Sequence, residues 1–184
     1  MGRPKALLRF RGRTFLDHIL DAIERSSIGP AILVVGHHRD AIEAAVRPRS
    51  VVFNPNYEQG MSTSVQAGVR ALPEGTSGAA VFLVDHPLIE ARTIDALASH
   101  SRPDNIVVPV HAGRRGHPVL FGAGLYPEIL RLSPNEGLNM VVRRDKKRVV
   151  EVPVDAPGVI RDIDTPEDFG ALLSEISETS EKRG

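Results

Sequence analysis

The sequence predicts an α/β fold: a single doubly wound, mostly parallel sheet with helices on both faces. Three observations predict it. Helix-spaced apolar patterns alternate with short continuous apolar runs, the links between them are short, and 184 residues suit one core. The elements follow in order. Thr14 is placed to cap a helix whose apolar positions are Phe15, Ile19, Leu20 and Ile23, and Gly29-Pro30 ends that segment. Ala31–Val35 is an unbroken apolar run, as a strand covered on both faces would be. Arg39–Val46 reads as a short helix and Ser50–Phe53 as a strand. Gly60 opens a helix carrying Val65, Val69 and Leu72, and a polar loop spans Pro73–Gly78. Ala79–Val84 is the most apolar run and is expected at the centre of the sheet. Thr93–Ala98 reads as a helix, Asn105–Val110 and Pro118–Phe121 as strands joined by a basic loop. Tyr126–Leu132 and Glu136–Arg143 read as helices and Arg148–Val154 as a late strand. Thr165 caps a last helix with Pro166 in its first turn. The domain is expected over 1–173, and 174–184 as a polar C-terminal tail.

Composition narrows the function classes. There are 23 basic and 23 acidic residues, so the chain is neutral, which argues against a nucleic-acid partner. The absence of cysteine removes disulfide scaffolds, thiolate metal sites and cysteine nucleophiles, and fits a cytoplasmic location. No apolar run approaches the ~20 residues of a membrane span, so no membrane partner is expected. Arg3, Lys5, Arg9, Arg11 and Arg13 precede the first acid, Asp17. Such a start has a transit-peptide composition, but Pro4, Gly12 and the helix that follows favour a part of the domain.

In doubly wound sheets ligands bind outside the carboxyl ends of the strands, so polar residues there carry the functional signal. Four segments qualify. Met1–Lys5 places cations on a Gly-containing turn, which suits a triphosphate or, equally, a solvated basic arm. Asp85 directly follows an apolar strand, as a Mg²⁺ ligand or as a helix-capping turn residue; the adjacent His86 reads as a loop histidine. Asn54–Ser64 follows a strand and opens a helix, where free N–H groups and hydroxyls meet an anion or a base edge, or where Ser62 is simply an N-cap. Asp162 and Asp164 fall on the same side of an extended segment and point to a shared cation. Helix N-terminal charge explains Glu167 and Asp168 better than it explains Asp162.

Five blocks in order then carry a resemblance: Met1-Gly-Arg-Pro-Lys5, Asn54 through Gly68, Leu83-Val-Asp85-His-Pro87, Arg115-Gly-His117-Pro-Val-Leu-Phe121, and Asp162-Ile-Asp-Thr-Pro-Glu-Asp168. Together the chain resembles the nucleotidyltransferases that place a nucleotide on molybdopterin, the molybdenum cofactor cytidylyltransferase and guanylyltransferase group. The third block is similar to that family's G-D-x-P metal motif, with Val84 in place of the glycine. The resemblance implies transfer of CMP, less readily GMP, from an NTP with CTP favoured. The acceptor would be a phosphate such as molybdopterin, pyrophosphate would leave, and Mg²⁺ would assist. It implies Lys5, with Arg3 as helper, on the triphosphate. Asp85 and Asp164 would hold metal, with Asp162 a competitor for the second place. Asn54, Gly60, Ser62 and Ser64 would face nucleobase or ribose, and Arg115 and His117 the acceptor pocket. A molybdoenzyme or its chaperone would receive the product.

The family begins with a strand and a Gly-rich loop of the type L-A-A-G-x-S-x-R just before Met-Gly, and this chain starts at Met1-Gly2. Two expectations follow: a truncated enzyme, or a non-catalytic nucleotide-binding remnant without the phosphate cradle. A sugar- or alcohol-phosphate nucleotidyltransferase is a further alternative on the same fold. A flavodoxin-like binding domain is a weaker one, because it leaves the Asp162/Asp164 pair unexplained.

Overall fold

A computed structural model describes residues 4–46 and 50–181. A short 3₁₀ turn at Lys5–Leu7 leads into a hairpin, β1 (Arg9–Phe10) and β2 (Arg13–Thr14). Helix α1 (Phe15–Glu24) starts where the sequence predicts: Thr14 accepts from the Asp17 amide and the Asp17 carboxylate reaches back to Thr14, a capping box. Its apolar stripe, Phe15, Leu16, Ile19, Leu20 and Ile23, is buried. Then come β3 (Ile32–Val35), α2 (Arg39–Ala45), β4 (Ser50–Phe53) and α3 (Met61–Arg70). β3 and β4 pair in parallel from Ile32↔Ser50 to Val35↔Phe53.

The second half holds β5 (Gly78–Val81), α4 (Ala91–Ala98), β6 (Ile106–His111), β7 (Arg114–Arg115) and β8 (Val119–Gly122). It ends with α5 (Tyr126–Leu130), α6 (Asn139–Arg144), β9 (Val149–Pro153) and α7 (Pro166–Glu181). β6 and β9 are parallel; β8 lies antiparallel between β5 and β6, so β5, β6 and β9 share one direction. The doubly wound α/β architecture is therefore present, with one reversed strand inserted. Ile106 and Val107 of β6 are fully buried, as are Phe121, Ile129 and Val141 packed nearby. The last helix has the predicted cap, since Thr165 Oγ1 accepts from the Asp168 amide and the Asp168 carboxylate accepts from the Thr165 amide. It continues to Glu181, into the segment expected as a tail.

One expectation is corrected. The Ala79–Val84 run pairs only over Gly78–Val81, and only with β8. Among the described residues it has no partner on its other side, so it is not flanked as a central strand would be. Its apolar side chains are accordingly half-buried, like those of Ile32–Val34 in β3. Yet the two strands share the same helices. Ala31, Leu33, Phe82 and Val84 join clusters built on α1. On the other face, Gly68 of α3 lies close under Val34, and Val65, Val69 and Val81 join one cluster. Among the described residues no helix is long and apolar enough to cross a membrane.

Candidate active site

Three loops meet at the carboxyl end of β5. After Val84 the chain turns, the His86 amide donating to the Leu83 carbonyl at 3.2 Å, which sets Asp85 at the tip. The Asp85 carbonyl accepts from the Ile163 amide at 2.8 Å, tying this tip to the segment before α7. Ile163 is fully buried while Asp162 and Asp164 on either side are exposed, so one buried anchor presents both carboxylates outward. Lys5, from the turn before β1, donates to Asp164 at 2.5 Å. Of the two aspartates, Asp164 is the one that meets the lysine. Lys5 also lies near enough to Asp85 to help hold its carboxyl below the usual carboxylate range. The larger cause there is the bond from His86, which outweighs the opposing effect of burial.

His86 is the residue that sequence reasoning set aside. It is 8 % exposed, and its Nδ1 stands 2.8 Å from Asp85 Oδ1. An ionised carboxylate only accepts, so the imidazole donates. The signal was available: a histidine in the turn residue next to a ligand-edge aspartate is in reach of it. The other face of His86 meets His117 edge to face, ring centroids 5.0 Å apart. His117 is held by its own amide, which donates to the Val159 carbonyl at 2.8 Å. Gly116 is required just before it, because a Cβ there would stand 2.1 Å from the Val159 oxygen. Burial pushes the His117 pKa down, His86 adds to this and Asp85 opposes it. Its Nδ1 is buried with no hydrogen-bond partner in the protein.

The other expected residues fall elsewhere. Arg3 lies outside the described residues. The Arg115 guanidinium is bound to Glu151 at 2.6 Å, across β7 and β9. Asn54 is 3 % exposed, donating to Thr63 and Ser64 and accepting from the Asn56 amide. Ser62 is 1 % exposed and donates to the carbonyls of Ser133 and Pro134. Gly60 has φ of 125°, and a Cβ there would stand 2.5 Å from the Pro134 oxygen. Gly60 and Ser62 close the start of α3 onto the 133–134 turn, and Asn54 bonds across from the end of β4 to α3. An open pocket of 490 Å³ adjoins them, lined by Asn54, Asn56, Gln59, Gln66 and Arg70 among others; the Lys5–Asp85 cluster lines no part of it.

Asp85 and Asp164 fit a hard divalent cation that takes its remaining ligands from phosphates and water. They do not form a closed cage, since among the described residues no three metal-capable side chains gather. Lys5 beside them carries the point charge that suits a phosphate. The cluster can thus gather negative phosphate oxygens between a lysine and an ion held by carboxylates.

Comparison with known proteins bears on the family of the chain. The model of the MobA-like NTP transferase domain matches residues 1–159. Over 94% of this chain and 90% of the relative, the sequence is 30% identical to nicotine blue oxidoreductase of Paenarthrobacter nicotinovorans. Over 92% of this chain and 86% of the relative, it is 29% identical to molybdenum cofactor cytidylyltransferase of Escherichia coli K12. Among solved structures, the Rv0371c protein of Mycobacterium tuberculosis H37Rv in complex with manganese aligns with a TM-score of 0.82 and 27% identity. That alignment covers 94% of this chain and 93% of the other.

Proposed function

Because the chain belongs to the MobA-like NTP transferase family, an enzyme family of nucleotidyltransferases, we propose that it transfers CMP from CTP to a phosphate acceptor, with molybdopterin as the first candidate and pyrophosphate as leaving group. The observation that carries this reading is the meeting of Lys5, Asp164 and Asp85 at one loop cluster. In such a transfer the acceptor phosphate attacks the α-phosphorus in line, and the protein contributes position and charge rather than a nucleophile.

Lys5 leaves Asp164 for the triphosphate; the exposed pair they form costs little to break. Arg3 is assigned as its helper. Asp85 and Asp164, with Asp162 beside them, hold the divalent ion, for which the manganese complex of Rv0371c gives support and Mg²⁺ is the expected species. That ion, when bound, supplies neutralisation of charge on the transferring phosphate. His117 lines the acceptor side, where a buried imidazole nitrogen without a partner is ready for a donor. A general base is unnecessary, because a phosphate acceptor is already ionised. Arg115 joins that side by releasing Glu151. Asn54, Gly60, Ser62 and Ser64 are assigned to shaping the start of α3 beside the nucleoside, since contact with the base through Ser62 would require it to leave two carbonyls.

The test is calorimetric binding of CTP against GTP and ATP, with and without Mg²⁺, followed by pyrophosphate release with molybdopterin and with sugar and alcohol phosphates. It is run on this chain and on one extended by the family's strand and Gly-rich loop. Mg²⁺-dependent, CTP-selective binding with transfer to molybdopterin supports the reading, and turnover of a sugar phosphate instead moves the acceptor. Binding by neither chain sinks it and leaves a non-catalytic scaffold. A second reading is favoured by the 30% identity to nicotine blue oxidoreductase: redox turnover of a coloured compound at the same loop cluster. Reductant-dependent bleaching of such a compound, with no pyrophosphate released from CTP, would replace the transferase reading.

A further inference from the structure

We propose that His86 is a positioning residue for the transfer: it fixes the Asp85 carboxylate and braces it against His117, so that the loop at Asp85 and the loop at His117 hold one geometry. This rests on the transferase reading. The bond to Asp85 uses Nδ1 at 2.8 Å, and the ring is almost wholly buried. Its edge-to-face contact with His117, at 5.0 Å between centroids, leaves it little room to turn. His117 is in turn pinned to Val159 by its amide, and Gly116 packs against the same carbonyl. The chain of contacts therefore runs from Asp85 through two imidazoles to the turn at Pro157–Ile160.

The bond has a second consequence. Lys5 already pairs with Asp164 and acts on Asp85 from nearby. Without His86, Asp85 Oδ1 loses its hydrogen-bond donor and is left to the attraction of that ammonium. The two carboxylates would then share one lysine, leaving it bound to the protein rather than to phosphate. His86 keeps Asp85 aimed and Lys5 available.

The test compares His86→Asn, His86→Gln and His86→Ala. The Asn amide nitrogen takes the place of Nδ1, whereas the Gln amide nitrogen takes the place of Nε2, although Gln fills more of the space. Two readouts are taken after the variants are shown to melt cooperatively: kcat for pyrophosphate release, and Mn²⁺ affinity in the presence of CTP by electron paramagnetic resonance. Residues that orient ligands typically change activity or affinity by about 10–100-fold. The expected result is a loss of about that size in Ala and Gln, with Asn within several-fold of the wild type in both readouts. A packing role alone would rank the variants by volume, Gln above Asn. That ranking, or an Ala variant matching the wild type, overturns the proposal while the wild type still binds Mn²⁺ and CTP. A wild-type chain that binds neither overturns the transferase reading and this proposal with it.

Discussion

At the scale of single residues, Asp85 does two jobs through different atoms. Its carbonyl holds Ile163, and its carboxylate faces His86 and Lys5. Asp85→Asn keeps the carbonyl, the shape and an oxygen able to accept from His86. The expected outcome is a melting temperature near that of the wild type with pyrophosphate release lowered about 10²–10³-fold, the usual scale for removing one group that stabilises developing charge. Wild-type-like turnover would remove Asp85 from the metal site. His117 makes a prediction about pH. Burial lowers its pKa from the ordinary 6.5, so below about that pH the unfolded chain takes a proton that the folded chain refuses. Stability therefore falls as pH drops from about 6.5 toward the lowered folded value, and His117→Gln should lack this part of the slope. Urea midpoints for both chains between pH 7.5 and 5 check it; parallel curves would mean that His117 is not held neutral by the fold.

At the scale of elements, local rules act where a segment satisfies its own backbone. The capping box at α1 is an example, because Thr14 and Asp17 answer each other's amides within four residues. Thr14→Ala should cost about 1 kcal/mol, typical of a lost N-cap. For a domain of this size that is a fall of roughly 2–4 °C in Tm, read by calorimetry. The cap at Thr165, the apolar stripe of α1 and the strands at 50–53 and 149–153 were legible for the same reason. What was not legible depends on partners far away in sequence. Ser62 read as a ligand-facing group because its partners at 133–134 appear only once the chain folds. His86 read as a loop residue because its second neighbour, His117, lies 31 positions on. The apolarity of Ala79–Val84 argued for a central strand, but whether a run is central is set by its neighbours, not by its own composition.

At the scale of the whole molecule, the sheet is uneven in a way that native-state exchange should reveal. β6 pairs with both β8 and β9 and carries fully buried Ile106 and Val107. β3 and β5 each pair on one side only among the described residues, and apart from buried Val35 their side chains are half-buried, though α3 packs on both and α1 packs on β3 and on Phe82 and Val84 after β5. Amides of β6 should exchange slowest, and those of β3 and β5 should open well below the global free energy. Ala6 sharpens this. It joins the cluster that contains Leu33 of β3 and Val84, three residues after β5, so the chain before β1 packs against both segments. A strand leading into Lys5 would then lie within reach of the edges of β3 and β5 that have no partner among the described residues. A chain extended ahead of Met1 by the strand and loop typical of the family should therefore gain stability, by roughly 5 °C or more in Tm if only two or three half-buried side chains become covered. It should also slow exchange in β3 and β5 without changing β6. Unchanged exchange in the extended chain would mean that these edges do not accept a strand, and that the two sheets are joined by helix packing alone. The result also bears on chemistry, because Asp85 tips the turn that follows β5 and is tied through Ile163 to the segment whose Asp164 meets Lys5. Ordering those two edges would order the loops that carry the charge, so the same extension should tighten CTP binding in step with the protection it confers.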